Sequence, residues 1–381
     1  MKLMVPLIEK SCDTLVLKLG EIADSGELKF SITSFPTESC GAYSRKSVRE
    51  EVDYQSVDML DWFSKLTLEV ILSTAFGLEA EVQNGKDNEL LTEGKKFFST
   101  PQIIRQISRL PFGPALLRFL AMLRRQRPEY FQEVATEILK ARRQQGFSGR
   151  KDLLDLMMHA TDETTTEGVS RLSDEEVVAQ SVVFLLAGYE TSSNTLAFTL
   201  YYLVVNPEMQ EKLRTQIREA LETNAKKGCL YDIVKNIDYL DCVLKESQRL
   251  CPPAVHVNRE CHEDFDLSGI HIPAGTEVVI PVYALHHDPD AWEDPEKFDP
   301  ERFRGARKDT YHPFQFLPFG GGPRNCIGMR FALLEIKIAL VKILSKYKFV
   351  RSAKTQVPLM LHAGGALSAK GGVLVIVESL L

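Results

Sequence analysis

The chain has 381 residues, 44% of them hydrophobic and 26% charged, with a formal charge of −6. Such a composition supplies a large globular core, and its acidic balance argues against a nucleic-acid binder. Cysteines 12, 40, 229, 242, 251, 261 and 326 are odd in number and never in C-x-x-C spacing, which argues against a disulfide framework or a zinc site and for a reducing compartment.

The start, M-K-L-M-V-P-L-I-E-K, is too short and too charged for a signal peptide. No run approaches the roughly 18 apolar residues of a spanning helix, so the chain as written reads as soluble. Val5 to Leu19 has helical spacing. Gly20 to Tyr54 is polar, rich in Gly, Ser, Pro and Thr, and reads as a long loop or insertion. Leu60 to Phe76 reads as a buried helix, and amphipathic pieces follow to about Ala160. Ser173-Asp174-Glu175-Glu176 is a capping box before a long apolar helix that ends at Asn206-Pro207. That helix would run roughly 50 Å through the core.

Asn206 and Pro207 then open another helix as cap and first residue. A further one, marked by Leu240, Val243, Leu244 and Leu250, stops at Pro252-Pro253. Residues 265–285 change to strand periodicity, with turns at Gly269 and Ala274-Gly275. The proline-rich stretch from His286 to Phe303 is irregular. Phe331, Leu334, Ile338, Val341 and Leu344 mark a last long helix, and G-V-L-V-I-V near the end is a strand. The expectation is a mainly α fold with a small β portion.

Residues 319–328 read F-G-G-G-P-R-N-C-I-G. A lone cysteine is most often a small buried hydrophobe, but such a residue needs no surrounding glycines. Glycine lets the backbone adopt positive φ and approach something bulky. No Gly-Lys-Ser/Thr closes the loop, so it is no phosphate cradle. A catalytic thiol would want a histidine base, and an iron–sulfur cluster about four cysteines. A single thiolate can, however, hold a haem iron, with loop N–H groups facing the sulfur and Arg324 facing a propionate.

Phe319, Gly322, Arg324, Cys326 and Gly328 fill every position of the haem-ligand signature of the cytochrome P450 family, which the chain thus resembles. Three further motifs agree in order and spacing. A-G-Y-E-T-S, residues 187–192, lies mid-way along the long core helix and is similar to the family's oxygen-activation motif. There Thr191 can bond back to a carbonyl one turn earlier and open the helix. Glu246-Ser247-Gln248-Arg249 matches E-x-x-R, and Pro300-Glu301-Arg302-Phe303 matches the segment that brings a second arginine to that pair. Arg259 stands where related chains put a propionate-binding arginine. His256 lies nearby, and an ordinary solvated histidine is its plainer reading.

The resemblance implies a haem-binding monooxygenase of the animal microsomal group that oxidises drugs and steroids. Cys326 would be the iron ligand. Phe319, Gly320, Gly322, Arg324, Gly328, Arg259 and Ala187 would contact the haem. Glu190 and Thr191 would relay protons, and Glu246, Arg249 and Arg302 would support the cysteine loop. Electrons would come from NADPH-cytochrome P450 reductase, with cytochrome b5 as a second donor, and the substrate would be a lipophilic small molecule. The alternatives are a haem-thiolate isomerase of a peroxide, as in thromboxane synthase, and an inactive haem-binding chain. Arg302, Arg304, Arg307, Lys337, Lys342 and Lys346 would offer a docking face for an acidic reductase. The family pattern begins before Met1, with a membrane anchor, early helices and a W-x-x-x-R helix. Trp62 is followed by Leu66 four residues on and does not replace that helix. The expected fold is therefore a single P450 haem domain, 1–381, lacking its N-terminal part. Its place would be the cytoplasmic face of the endoplasmic reticulum.

Overall fold

The computed structural model describes residues 1–26, 56–85, 89–98, 112, 129–145, 152–159, 161–162, 170–224 and 229–380. Helix α1 spans Val5–Gly26 and buries Val5, Ile8, Cys12, Leu15 and Leu19, a spacing of three and four that marks one apolar face. It does not stop at Gly20, where the loop was expected to begin. Gly20 is a packing residue: a Cβ there would lie 2.9 Å from the Tyr347 hydroxyl, which donates to Val16 O at 2.7 Å. The rest of the expected loop lies outside the described residues.

Helix α2, Met59–Phe76, begins at Asp58, whose carboxylate accepts from Leu60 N. It ends at Gly77, in a left-handed conformation at φ 62°. Helices α3 (Glu89–Phe98), α4 (Tyr130–Gln145) and α5 (Leu153–Met158) follow. Arg142 of α4 joins three pieces, donating to Asp152 Oδ2 at 2.7 Å and to Phe76 O at 2.7 Å.

Helix α6, Asp174–Val205, is the axis of the fold. Ser173 and Glu176 form the expected capping box in both directions, worth about 1 kcal/mol. The two halves of α6 differ. In the first half only Val177, Val178, Ser181, Leu185 and Tyr189 are buried, whereas every residue from Ser192 to Tyr201 is. The first half packs with α2, α4 and α5. The second half joins α1 and the helices that follow: α7 (Pro207–Asn224), α8 (Leu230–Lys235), α9 (Asp238–Leu250) and, after the sheets, α11.

After α9 the chain forms β4 (Val257–Glu260), β5 (Phe265–Leu267), β6 (Ile270–Ile272) and β7 (Glu277–Ile280). Strands β1 to β3 are the short pieces Val57–Asp58, Thr161–Asp162 and Ser170–Arg171. β4 pairs antiparallel with β7, setting Arg259 opposite Val278. The strand periodicity does not persist to Tyr283: Val282–His286 is one helical turn, α10, begun at Pro281. Helix α11, Met329–Leu344, leads into β8 (Tyr347–Arg351), which pairs with β11 (Leu374–Ser379). Between them β9 (Leu361–Ala363) and β10 (Leu367–Ala369) form a hairpin. The mainly helical architecture with several small sheets is the expected one.

Candidate functional site: a cavity between the cysteine loop and the core helix

The loop 317–328 is shaped by its glycines and by one cross-bond. Gly320 and Gly322 have φ of 70° and 75°, a region that side chains disfavour. Cys326 N–H donates to Phe319 O at 2.9 Å and closes the loop into a hairpin-like turn. The N–H of the cysteine therefore serves the loop and not the sulfur. A Cβ at Gly328 would stand 3.8 Å from Cys326 Sγ, an ordinary contact distance.

Cys326 is exposed, and what it is exposed to is a cavity of about 600 Å³. One wall is the loop: Pro318, Phe319, Gly320, Arg324, Cys326, Ile327 and Gly328. The facing wall is α6, through Gln180, Val183, Phe184, Ala187, Gly188, Thr191, Ser192 and Thr195. These positions are three and four apart and form a single helix face. Phe331, Ala332 and Ile336 of α11, Ile71, Thr74 and Ala75 of α2, and Val257 and Arg259 of β4 complete the lining with Met1, Met4, Leu153, Gln248, Pro253 and Ala254. Of the expected haem contacts only Gly322 stands off the cavity wall, where it turns the loop. Glu190 and His256 also do not line it.

The A-G-Y-E-T-S stretch is built by two local devices. Thr191 Oγ1 donates back to Ala187 O at 2.7 Å, as its spacing predicts. Thr67 of α2 donates to Tyr189 O at 2.8 Å, so the neighbouring helix holds a second carbonyl. Gly188 is small because α2 presses on it: a Cβ would come within 2.9 Å of Ile71 Cδ1. Glu190 is mostly buried, and its Oε2 has no hydrogen-bond partner. Burial pushes its carboxyl up to about 8, opposed by a hydrogen bond from Asn194.

The cavity carries two cations. Arg324 and Arg259 meet no carboxylate among the described residues, and Arg259 only donates to Asn258 O at 2.7 Å. The rest of the wall is mainly apolar. An exposed thiol, two acid-free guanidinium groups and an apolar hollow fit an iron porphyrin. That group needs one axial ligand, cover for a flat macrocycle and countercharges for two carboxylates.

Behind the loop lies a buried ionic network. Glu246 and Arg249 are 0% exposed and Arg302 6%. Arg249 Nε and Nη2 donate to Glu246 Oε2 and Oε1 at 2.8 and 2.9 Å, and Arg302 Nε reaches Oε1 at 3.3 Å. Asp299 N adds a bond to Oε1 at 2.9 Å. The arginines spend further donors on carbonyls: Arg249 on His286 O at 2.8 Å, Arg302 on Asp294 O at 2.8 Å.

Sequence reasoning missed His286, the residue that joins this network to the loop. Its Nδ1 lies 3.2 Å from Arg249 O, and its Nε2 accepts Leu317 N–H at 2.8 Å, two residues before Phe319. Both bonds together require the neutral ring protonated at Nδ1. Burial lowers its pKa to about 4, which keeps it neutral. The available signal was a histidine opening a proline-rich stretch, too common to single out. Around it Trp292, Phe303, Tyr311 and Phe316 form an aromatic cluster, with the Arg249 guanidinium 5.3 Å from the Trp292 ring centre.

The chain matches the Cytochrome P450 family over residues 4–377. It belongs to that family. P450s are haem-binding oxidoreductases that act as monooxygenases on lipophilic compounds, and this chain falls with their animal microsomal group. It is 38% identical to Cytochrome P450 3A11 of Mus musculus over 90% of its own length and 69% of that protein's. It is 37% identical to Cytochrome P450 3A2 of Rattus norvegicus over 95% and 67%. With Cytochrome P450 3A5 of Homo sapiens the identity is 37% over 87% and 66%. The chain thus spans about two thirds of the length of these P450 relatives.

Proposed function

We propose that Cys326 is the haem-thiolate ligand of this P450 and that the 600 Å³ cavity holds both haem and substrate. The observation that carries this is a single hollow onto which the Cys326 thiol, Arg324, Arg259 and the Ala187–Thr191 helix face all open. When bound, haem iron supplies the redox chemistry that inserts one oxygen atom into the substrate. Cys326 would hold the iron as the thiolate, presented by the loop that the positive φ of Gly320 and Gly322 shapes. Arg324 and Arg259 would bind the haem's two carboxylates. Ala187, small and open to the cavity, would leave room at this helix face. Thr191 spends its proton on Ala187 O and so offers its lone pairs to a proton donor. Glu190, neutral below about pH 8, holds a proton one residue away. Glu246, Arg249 and Arg302 position the loop through His286.

The Glu190–Thr191 pair favours the oxygenase over a peroxide isomerase, which needs no proton supply. Electrons come through NADPH-cytochrome P450 reductase, with cytochrome b5 as a second donor. The expected basic docking face is largely neutralised. Arg302 is buried on Glu246, Arg307 pairs with Asp299 at 3.0 Å, Lys342 with Asp13 at 2.6 Å, and Lys337 with Asp241. Arg304 lies 3.6 Å from Glu301, and Lys346 keeps its charge free among the described residues. The match over 4–377 supports reading the chain as one haem domain, and the group's habit supports the endoplasmic-reticulum surface. No described helix is long and apolar enough to cross a membrane. C326S is expected to abolish the red-shifted band of the reduced carbon monoxide complex. Retention of that band in C326S overturns the assignment.

A further inference from the structure

Four carbonyls within residues 187–191 of α6 take hydrogen bonds from side chains. Thr191 Oγ1 donates to Ala187 O at 2.7 Å and Thr195 Oγ1 to Thr191 O at 2.8 Å, while Ser193 Oγ and Asn194 Nδ2 each donate to Glu190 O at 3.0 Å. All of these donors belong to α6 itself. Of the four carbonyls, only Tyr189 O is held from outside: Thr67 Oγ1 of α2 donates to it at 2.8 Å.

Thr67 differs from the other hydroxyls of its helix. Ser64, Ser73 and Thr74 donate, among the described residues, only to carbonyls three or four places back on α2. Thr67 has that choice too, with Phe63 O at 2.9 Å, yet it stands nearer to α6. It is 0% exposed, so no bulk water competes for its single proton. One turn further along the same face of α2, Ile71 Cδ1 reaches within 2.9 Å of where a Gly188 Cβ would lie. Two successive turns of α2 therefore grip two successive residues of α6, immediately before Glu190 and Thr191.

Tyr189 O belongs to the rigid peptide plane that ends at the Glu190 Cα. A hydroxyl bond to such a carbonyl competes with the helix's own N–H and bends the ladder locally. We propose that Thr67 is a positioning residue of the monooxygenase: its bond to Tyr189 O fixes that plane and so holds the Glu190 carboxyl where it can pass a proton towards Thr191. Glu190 is off the cavity wall and Thr191 is on it, so the proton has to be handed inwards along this stretch of backbone. The inference rests on the reading of Glu190 and Thr191 as the proton-supplying pair. In the productive reaction a substrate RH, O2, two electrons and two protons give ROH and water. In the leak, O2, two electrons and two protons give hydrogen peroxide, and RH is left unchanged. Both use one NADPH, so the share of each outcome reports the placing of the proton and not substrate binding.

T67V keeps the shape of the side chain and removes the hydroxyl, whereas T67S keeps the hydroxyl. Both are tested in the haem-loaded full chain with NADPH, NADPH-cytochrome P450 reductase and decalin as probe substrate. T67V is expected to lower the decalol formed per NADPH by about threefold, raise hydrogen peroxide to match, and leave half-saturation of the decalin-induced change in the haem spectrum within about twofold. T67S is expected to couple as wild type does. Without turnover, amide hydrogen exchange over 187–193 is expected to run about fivefold faster in T67V, with 196–204 unchanged and T67S again like wild type. Should T67V fail to fold, T67A takes its place beside T67S. Wild-type coupling in T67V, a T67S as leaky as T67V, or unchanged exchange over 187–193 would overturn the proposal. T191A, run alongside, separates the two ideas. Coupling lost in T191A and kept in T67V overturns the role of Thr67 alone, whereas coupling kept in both overturns the Glu190–Thr191 reading and the role of Thr67 with it.

Discussion

Glu246 and Glu335 are equally buried glutamates in neighbouring parts of one core, and they are treated in opposite ways. Glu246 is met by two guanidinium groups and a backbone N–H. Glu335 is met by none of these. Burial sets the cost of a charge, but the partners decide whether a charge can exist there. Under the cysteine loop the partners are themselves held by carbonyls of the 286–297 stretch, so the ionic network fixes several chain segments at once. At the α6–α11 contact no such framework exists.

The largest effect is expected from breaking the partnered side. E246A leaves two buried arginines without their acid, a loss of about 3–5 kcal/mol. Chemical denaturation should record it, with haem lost from the folded fraction. A value near that of a surface pair would place the network outside the folding core.

The second comparison concerns His286, which must stay neutral to accept from Leu317. Its pKa is about 4 in the folded chain against an ordinary 6.5. Its contribution is fully present above pH 6.5 and is lost as the pH falls towards 4, about 3 kcal/mol in all. H286N carries no such proton. Its stability, followed by denaturation from pH 7 to 4, should lack that part of the slope.

Glu190 lies between the two extremes, with one hydrogen bond from Asn194 and an unpartnered Oε2. Its raised pKa, about 8, means that the unfolded chain ionises first as the pH climbs past 4.5, so wild-type stability declines until pH 8. E190Q should remove that decline, a relative gain of roughly 4 kcal/mol at pH 8 compared with pH 4. Parallel pH profiles for the two proteins would sink the neutral-acid reading of Glu190.

What could be read from the sequence was what local order encodes. The Ser173 capping box, the length of α6, the back-bond from Thr191 and the cysteine loop are each written within a few adjacent residues. So is the E-x-x-R pair, one helical turn apart. What could not be read depends on residues far apart in the chain. His286 reaches Leu317 across 31 positions, and Thr67 reaches Tyr189 across 122. Gly20 looked like a helix end because its reason, Tyr347, lies in another element. Strand β4 was hidden after the Pro252-Pro253 stop, since its pairing with β7 gives it form and its apolar alternation does not. Glu335 carries no local mark in the sequence, and its burial comes from the packing of other elements around α11.

The contact between Gly188 and Ile71 limits how this active-site hollow can be reshaped. A methyl gained at 188 would come within 2.9 Å of Ile71 Cδ1, so the end of the Ile71 side chain has to shift or be shortened. Ala187, whose side chain is exposed towards the hollow, carries no such debt. Variation in substrate size among relatives should therefore be carried by position 187 alone, and by positions 188 and 71 only as a matched exchange.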